Sequence, residues 1–126
     1  MAINFICYKK CSTCKKAEKF LRDNDIGFTP RDYTDQPLGA TEITTLWQKS
    51  NLPLSRLFNT SGILYREFDM KNRLPTLSED EQIKILSENP KLIKRPIIET
   101  KETVLIGFRQ PEWEAVLLTK AQEPSV

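Results

Sequence analysis

Apolar and polar positions in the first third of the chain predict a strand, a helix and a second strand. Residues 3–8 are mostly apolar, which predicts a buried first strand. Residues 15–23 place their apolar side chains on one helical face, and Gly27 is expected to end that helix. Residues 28–33 predict a second strand, which should be short or at a sheet edge because it contains Pro30. The opening therefore predicts a β-α-β unit.

The middle of the chain follows helical spacing. Within residues 35–89, Thr41 is expected to cap one helix. Ser78 and Glu81 form the S-x-x-E capping-box pattern that opens another helix. The stretch from about 38 to 92 is therefore predicted to be a helical insertion between two sheet-forming halves.

The last third predicts a β-hairpin followed by a helix. Residues 95–99 and 103–107 are apolar runs joined by three polar residues, and Pro111 suits a first helical turn. Residues 121–126 form a polar tail. Because the sequence contains no repeat or long linker, residues 1–120 are expected to form one α/β domain.

Composition narrows the possible functions. The 126-residue chain is 39% hydrophobic and 29% charged, which is ordinary for a soluble domain. Its net charge of +2 (19 basic minus 17 acidic residues) predicts no strong attraction to nucleic acid. Histidine is absent from the sequence, which excludes Ser-His and Cys-His catalysis. Because the sequence shows no signal-peptide pattern and no apolar span, the expected location is the cytoplasm, with no membrane contact. The protein is also expected to be a monomer.

The motif Cys11-Ser12-Thr13-Cys14 lies where the first strand meets the first helix. A thiol at a helix N-terminus is near unpaired backbone N–H groups and the positive end of the helix dipole, which favour the thiolate. Cys11 is therefore the expected nucleophile. Cys14, one turn further on, is the expected resolving thiol, which would attack a mixed disulfide on Cys11 and release the substrate.

Other interpretations of the cysteines carry less weight. Three cysteines and no histidine are too few for the usual four-ligand zinc site. Cys7-x3-Cys11-x2-Cys14 has the spacing of a radical-SAM cluster loop, but Cys7 falls within the predicted strand. Cys7 is expected to be a small buried apolar residue rather than a third redox partner. Inert core thiols remain a further alternative for Cys11 and Cys14.

Several short stretches together resemble the Spx and arsenate-reductase family, whose members have a thioredoxin fold. They are residues 11–17 (CSTCKKA), 58–62 (FNTSG), 92–97 (LIKRPI) and 106–108 (IGF). The resemblance covers nearly the whole chain. It implies a thioredoxin-like α/β fold with a mixed four-stranded sheet, ordered β-α-β, helical insertion, β-β-α.

The resemblance also implies a site. Pro96 should form a cis peptide bond and lie beside Cys11, where it could contact substrate. Arg95 matches the family arginine near the nucleophile, and its permanent charge would hold a thiolate or an anion. Lys10, Ser12 and Thr13 are further expected substrate-binding residues.

Departures from the family pattern bear on the substrate. Arsenate reductases of this type use further arginines, which align with Asn59 and Phe108; Arg109, one residue away, is the expected substitute and a further substrate-binding residue. Since an oxyanion needs several bidentate donors, arsenate is not the expected substrate. Lys9 replaces a common proline and is expected to add positive charge beside the thiol.

Two functions are consistent with these features. The first is a thiol-disulfide oxidoreductase acting on a small-molecule or protein disulfide, with no bound cofactor and with glutathione or a thioredoxin system as the thiol donor. The alternative is an Spx-like redox-sensing regulator that binds RNA polymerase. The resemblance implies a glycine in the loop by which the regulator docks on the polymerase, and Asn51-Leu52-Pro53 lacks one. It also implies a C-terminal extension in the regulator, and the chain after Leu118 is short. Both features favour the enzyme.

Overall fold

The computed structural model describes residues 3–118, and these form a four-stranded sheet with helices on both faces. The strands are β1 (Asn4–Cys7), β2 (Thr29–Asp32), β3 (Ile97–Glu99) and β4 (Val104–Ile106). The helices are α1 (Ser12–Asp23), α2 (Ala40–Ser50), α3 (Ile63–Glu67), α4 (Met70–Arg73), α5 (Glu79–Glu88) and α6 (Gln110–Trp113). A π-helical turn, Glu114–Leu118, continues α6, and short 3-10 turns cover Leu54–Leu57, Leu74–Thr76 and Pro90–Leu92.

The sheet is mixed, with the strand order β2-β1-β3-β4. β1 runs parallel to β2 and antiparallel to β3, with Phe5 opposite Ile98. β3 and β4 form the antiparallel hairpin that the sequence predicts. The α/β fold with a mixed four-stranded sheet is therefore confirmed, and β2, which contains Pro30, is an edge strand as expected.

Alternation along the strands divides the core into two layers. Phe5 and Cys7 face one side, where they pack with Ala17 of α1 and Trp113 of α6. Ile6 faces the other side and packs with the helices of the insertion. Successive strand residues point to opposite faces, so each strand contributes to both layers. Trp113 is fully buried, and its indole N–H donates a hydrogen bond of 3.0 Å to the Gly107 carbonyl.

Two predicted helix ends differ from those in the structure. α1 ends at Asp23 rather than at Gly27, because the Asn24 side-chain amide donates to the Phe20 carbonyl and Asp25 takes a left-handed conformation (φ 55°). α2 is capped by Gly39 rather than by Thr41.

The start of α2 has a physical explanation. Gly39 holds the extended backbone that an N-cap needs, and its N–H donates to the Glu42 carboxylate over 3.2 Å.

The predicted polar tail, residues 121–126, lies outside the described residues. Within residues 3–118, no helix combines the length and apolar character needed to cross a bilayer.

The predicted capping box at the start of α5 is present. The Ser78 hydroxyl accepts from the Glu81 N–H, and the Ser78 N–H donates to the Glu81 carboxylate. We expect Ser78→Ala to lower the free energy of unfolding by about 1 kcal/mol, measured by urea denaturation. Ser87→Ala in the same helix is the matched control, because Ser87 bonds only the carbonyl of Lys84 one turn earlier. Equal losses in both variants would show that the cap contributes nothing specific.

Candidate functional site

Cys11 is the N-cap of α1, with an extended backbone at φ −89° and ψ 123°. The backbone N–H groups of Thr13 and Cys14 lie near its sulfur and lower the pKa of the thiol. These are N–H groups of the first helical turn, which have no carbonyl partner within the helix. The helix N-terminus therefore presents its free donors and its dipole to this thiol, as the sequence predicts.

Arg95 is the side chain that acts most directly on the Cys11 thiol. Its guanidinium lowers the pKa of Cys11, although the two residues are far apart in the chain. β3 begins directly after the cis Arg95–Pro96 bond and pairs with β1, which ends just before Cys11. The cis bond and the position of Arg95 agree with what the resemblance implies.

Two tyrosines hold the Arg95 side chain. Its Nη1 donates a hydrogen bond of 2.6 Å to the hydroxyl of Tyr33, whose side chain is fully buried. The guanidinium carbon also lies 5.3 Å from the centre of the Tyr8 ring, which stacks on Tyr33. A cation over an aromatic ring is attracted to its electron-rich face. Arg95 is therefore fixed on one side by Tyr33 and Tyr8 and directed on the other toward Cys11.

The electrostatics favour the Cys11 thiolate. Burial raises the pKa of the thiol, but the Cys14 N–H, the Arg95 hydrogen bond and charge, and the Thr13 N–H together hold that pKa below its usual value. Burial also lowers the pKa of Arg95, but its hydrogen bonds to Tyr33 and Cys11 outweigh this and raise it. Arg95 therefore remains a cation while Cys11 ionises more readily than an ordinary cysteine.

Cys11 opens into a cavity of about 690 Å³ with a strongly basic lining. Five of its lining residues are basic, and none of the described residues that line it is acidic. The basic residues are Lys10, Arg56, Lys94, Arg95 and Arg109. Within residues 3–118, none of the five forms an ion pair with a carboxylate. The concentration of positive charge here contrasts with the nearly neutral chain as a whole, and it suits an anionic ligand.

The insertion supplies the wall opposite Cys11. Asn59 donates its N–H to the Leu92 carbonyl over 2.8 Å, and Lys94 donates its N–H to the Leu57 carbonyl over 2.7 Å. These bonds flank a bridge between Phe58 and Ile93 and fix the loop 59–62 beside Arg95. At Gly62 a Cβ atom would lie 2.8 Å from the side-chain amide nitrogen of Asn59, so a larger residue here would displace the Asn59 side chain.

Most of the predicted site residues meet at this cavity. Its lining includes Cys11 and the predicted residues Lys10, Ser12, Thr13, Arg95 and Arg109. Pro96 is not among the lining residues. It lies behind Arg95, where its carbonyl accepts the Gly107 N–H over 2.8 Å. Asn59 and Phe108, the positions aligned with the additional arginines, do line the cavity.

Two basic residues of the cavity, Arg56 and Lys94, were not predicted. Lys94 immediately precedes Arg95, so its proximity could have been inferred from the motif. Arg56 lies in the 3-10 turn Leu54–Leu57 of the insertion. Its approach to Cys11 depends on how the insertion packs, and no local pattern in the sequence indicates this.

Lys9 lies elsewhere than predicted. Its backbone N–H donates to Asp32, and its ammonium is 3.7 Å from the Asp35 carboxylate. The prediction that Lys9 adds charge beside the thiol is therefore wrong. Carboxylates at the end of β2 hold it away from the cavity, and Arg95 supplies the charge at Cys11 instead.

The cysteine pairing also differs from the expected one. Cys14 is joined to Cys7 in a disulfide with a Cα–Cα distance of 6.1 Å, and Cys11 is free. Cys7 is buried, as expected. The expectation that it has no thiol partner is wrong, because it is joined to Cys14. Cys7 shares the strand face of Phe5, and α1 covers that face with Cys14 on its inner side. Strand alternation combined with helix packing could have indicated this contact.

Tyr33→Phe tests whether the buried hydroxyl positions Arg95. Because the variant keeps the ring but removes the acceptor for Arg95, we expect a higher Cys11 pKa and a loss of about 1 kcal/mol in unfolding free energy. Thiolate absorbance titration and urea denaturation measure the two effects. Tyr8→Phe is the matched control, since it keeps the ring that contacts the guanidinium. A Cys11 pKa unchanged by Tyr33→Phe would show that Arg95 does not depend on this hydroxyl.

Comparison with known proteins agrees with this geometry. The ArsC family model matches residues 7–116. A solved ArsC family related protein from Bacteroides fragilis is 43% identical, with a TM-score of 0.87 over 91% of this chain and 97% of that chain.

Two curated relatives are similar over most of their length. YusI of Bacillus subtilis, described as uncharacterized, is 40% identical over 90% of this chain and 97% of its own. The global transcriptional regulator Spx 2 of Lactococcus lactis is 31% identical over 85% of this chain and 80% of its own. The family model spans the cysteines, the insertion and the cis-proline element together, and the chain belongs to the ArsC family.

Proposed function

We propose that this protein is a thiol-disulfide oxidoreductase in which Cys11 attacks the disulfide of an anionic substrate. The observation that supports it best is the position of Cys11, a helix N-cap that lines, together with Arg95, a cavity with a basic lining. The lowered pKa of Cys11 keeps more of the thiol in its nucleophilic form near neutral pH.

The first step is thiol-disulfide exchange. The Cys11 thiolate attacks one sulfur of the substrate disulfide, forms a mixed disulfide with that half, and expels the other half as a thiolate. A second thiol then attacks the Cys11 sulfur of the mixed disulfide. A new disulfide forms between that thiol and Cys11, and the bound half of the substrate leaves as a thiol. Cys14 is the candidate within the chain, and an external thiol is the other source.

The charge of the cavity indicates the substrate class. Guanidinium and ammonium groups around Cys11 would bind carboxylates on either half of the disulfide. Glutathione carries carboxylates on both sides of its thiol, so its disulfide or a glutathionylated molecule suits this cavity. The same charge would draw in reduced glutathione as thiol donor, with a thioredoxin system as the other candidate donor.

Arsenate suits the site less well. Asn59 and Phe108 line the cavity at the positions where the resemblance places further arginines, and neither carries a charge. Arg56 and Arg109 also line it, but the arginine that lowers the pKa of Cys11 is Arg95. A small tetrahedral oxyanion needs several donors converging on one point beside the nucleophile. A larger disulfide with separated carboxylates can use cations spread around the rim.

The Spx-like regulator remains the second candidate because a relative with 31% identity bears that name. A Cys14→Ser variant can separate the two functions in cell extract, since it cannot resolve Cys11 adducts through Cys14. Disulfide-linked proteins on Cys11 would support the oxidoreductase. Recovery of RNA polymerase subunits without any disulfide-linked protein would support the regulator.

Substitution of Arg95 tests the proposed thiolate and substrate contacts. Arg95→Ala should raise the pKa of Cys11 and lower the rate of disulfide reduction at pH 7 by about tenfold or more, because the positive charge that favours the thiolate is lost. The pH-rate profile should shift to higher pH, since the rate follows the thiolate fraction. Arg95→Lys should restore the pKa more fully than the rate, because lysine lacks the planar fork that binds two acceptors.

Arg22→Ala is the matched control for charge removal. Arg22 lies at the far end of α1, is exposed, and pairs with Glu18. It should leave both the pKa and the rate unchanged. If Arg95→Ala behaves like Arg22→Ala while remaining folded, Arg95 has no part in the reaction.

Arsenate turnover is a separate test. With glutathione as donor, we expect arsenate reduction to be weak or absent while a glutathione mixed disulfide is reduced readily. Consumption of NADPH in a coupled glutathione reductase assay measures both reactions. Arsenate turnover that matches the disulfide rate would show that Arg95, Arg56 and Arg109 are sufficient to bind the oxyanion.

A further inference from the structure

Cys14 has a thiol neighbour on each side. Cys11, the N-cap of α1, is one helical turn away from Cys14 in the same helix. Cys7, the last residue of β1, faces Cys14 across the packing of the strand against α1 and is joined to it. Their Cα–Cα distance of 6.1 Å lies in the range that disulfides span without backbone movement. One sulfur can therefore exchange partners between a thiol at the cavity and a thiol in the core.

The two neighbours of Cys14 are in opposite surroundings. Cys11 is partly exposed and lines the basic cavity. Cys7 and Cys14 are 7% and 3% exposed and pack with Ala17 and Phe5 in the core layer that α1 covers. A bulky reductant or oxidant can therefore reach Cys11 but not the buried pair.

We propose that Cys7 is a second resolving thiol, which takes the disulfide from Cys11 into the core. This inference rests on the proposed oxidoreductase function. After Cys11 has formed a mixed disulfide with one half of the substrate, the Cys14 thiolate attacks the Cys11 sulfur, a Cys11–Cys14 bond forms, and the bound half leaves. The Cys7 thiolate then attacks the Cys14 sulfur, a Cys7–Cys14 bond forms, and Cys11 leaves as a thiolate.

The atoms and electrons of the sequence balance. Cys7 and Cys14 each lose a proton, and together they supply the two electrons that convert the substrate disulfide into two thiols. The second exchange involves no net oxidation, because one disulfide replaces another. Cys11 returns to its starting state, and an external thiol must later reduce the Cys7–Cys14 bond.

Cys11 is a good leaving group in the second exchange. A thiol with a low pKa leaves faster, and the groups that lower the pKa of Cys11 also stabilise it as the departing thiolate. A small cavity of about 120 Å³ touches both Cys7 and Cys14 on the side of α1 that faces β2. Its rim includes Lys9 and Lys15, so water can carry the Cys7 proton away by this route.

The burial of the pair predicts how it is reduced. An external thiol reaches the Cys7–Cys14 bond by the reverse route, in which Cys11 attacks Cys14 and the external thiol then attacks the exposed Cys11 sulfur. Cys11→Ser should therefore slow reduction of the Cys7–Cys14 bond by glutathione at least tenfold. An unchanged rate would contradict this route.

The test is a single turnover with one equivalent of oxidised glutathione added to the fully reduced wild-type protein. A small alkylating reagent is applied under native conditions, and the protein is then digested with trypsin. Cleavage after Lys9, Lys10 and Lys15 places Cys7 on the peptide 1–9 and both other cysteines on the peptide 11–15. A Cys7–Cys14 bond joins the two peptides, whereas a Cys11–Cys14 bond closes a loop within one.

We expect the joined peptides, with the alkyl group on Cys11. A closed loop in peptide 11–15, with Cys7 alkylated only after unfolding, would overturn the role of Cys7 and leave the proposed function intact. If oxidised glutathione releases no thiol and no cysteine is oxidised, the proposed function itself fails. Cys7→Ala and Cys7→Val should both retain the closed loop between Cys11 and Cys14 and leave no free cysteine on the protein after one turnover. Agreement between the two variants excludes an effect of packing at position 7.

Discussion

The pairing of β1 with β3 is the constraint on which the site depends. Cys11 follows the end of β1, and Arg95 precedes the start of β3, so antiparallel pairing brings both residues to the same edge of the sheet. Without this pairing, a residue some eighty positions away would have no fixed relation to the thiol. The charge that lowers the pKa of Cys11 is therefore a consequence of the sheet topology, and the helix N-terminus adds a local contribution that needs only α1.

The insertion turns this thiol–arginine contact into a binding cavity. Phe58, which follows the 3-10 turn Leu54–Leu57 of the insertion, pairs with Ile93 just before Arg95, and this bridge brings Arg56 and the loop 59–62 to the cavity at the helix N-terminus. Positive charge is concentrated on one surface of a chain whose acidic and basic residues nearly balance. Such focusing raises the local concentration of anions more than the net charge would suggest.

The three cysteines have distinct environments because each occupies a different position relative to the sheet. Cys11 lies beyond the strand end and is exposed to the cavity, Cys14 lies on the inner face of α1, and Cys7 lies on the strand beneath it. Covering the strand with the helix places the last two in contact. The same packing that stabilises the layer between α1 and the sheet therefore determines which cysteines lie within disulfide distance of one another.

The sequence by itself determined the main elements and the place of the candidate nucleophile. Hydrophobic periodicity is a local property, and it was enough to locate β1, α1, the hairpin and the capping box at Ser78. The position of Cys11 at the junction of a strand and a helix was equally local. The expectation that Pro96 and Arg95 lie near Cys11 came from a family resemblance, since no local pattern links them to Cys11.

Only the tertiary structure decided the partner of each charged or reactive group. Lys9 lies beside Asp35 rather than the thiol, Cys14 pairs with Cys7, and Arg56 reaches the cavity. Each of these contacts joins side chains from different elements, and their distances depend on how strands, helices and insertion pack. A one-dimensional pattern specifies which face of an element is buried, but not which residue of another element lies against it.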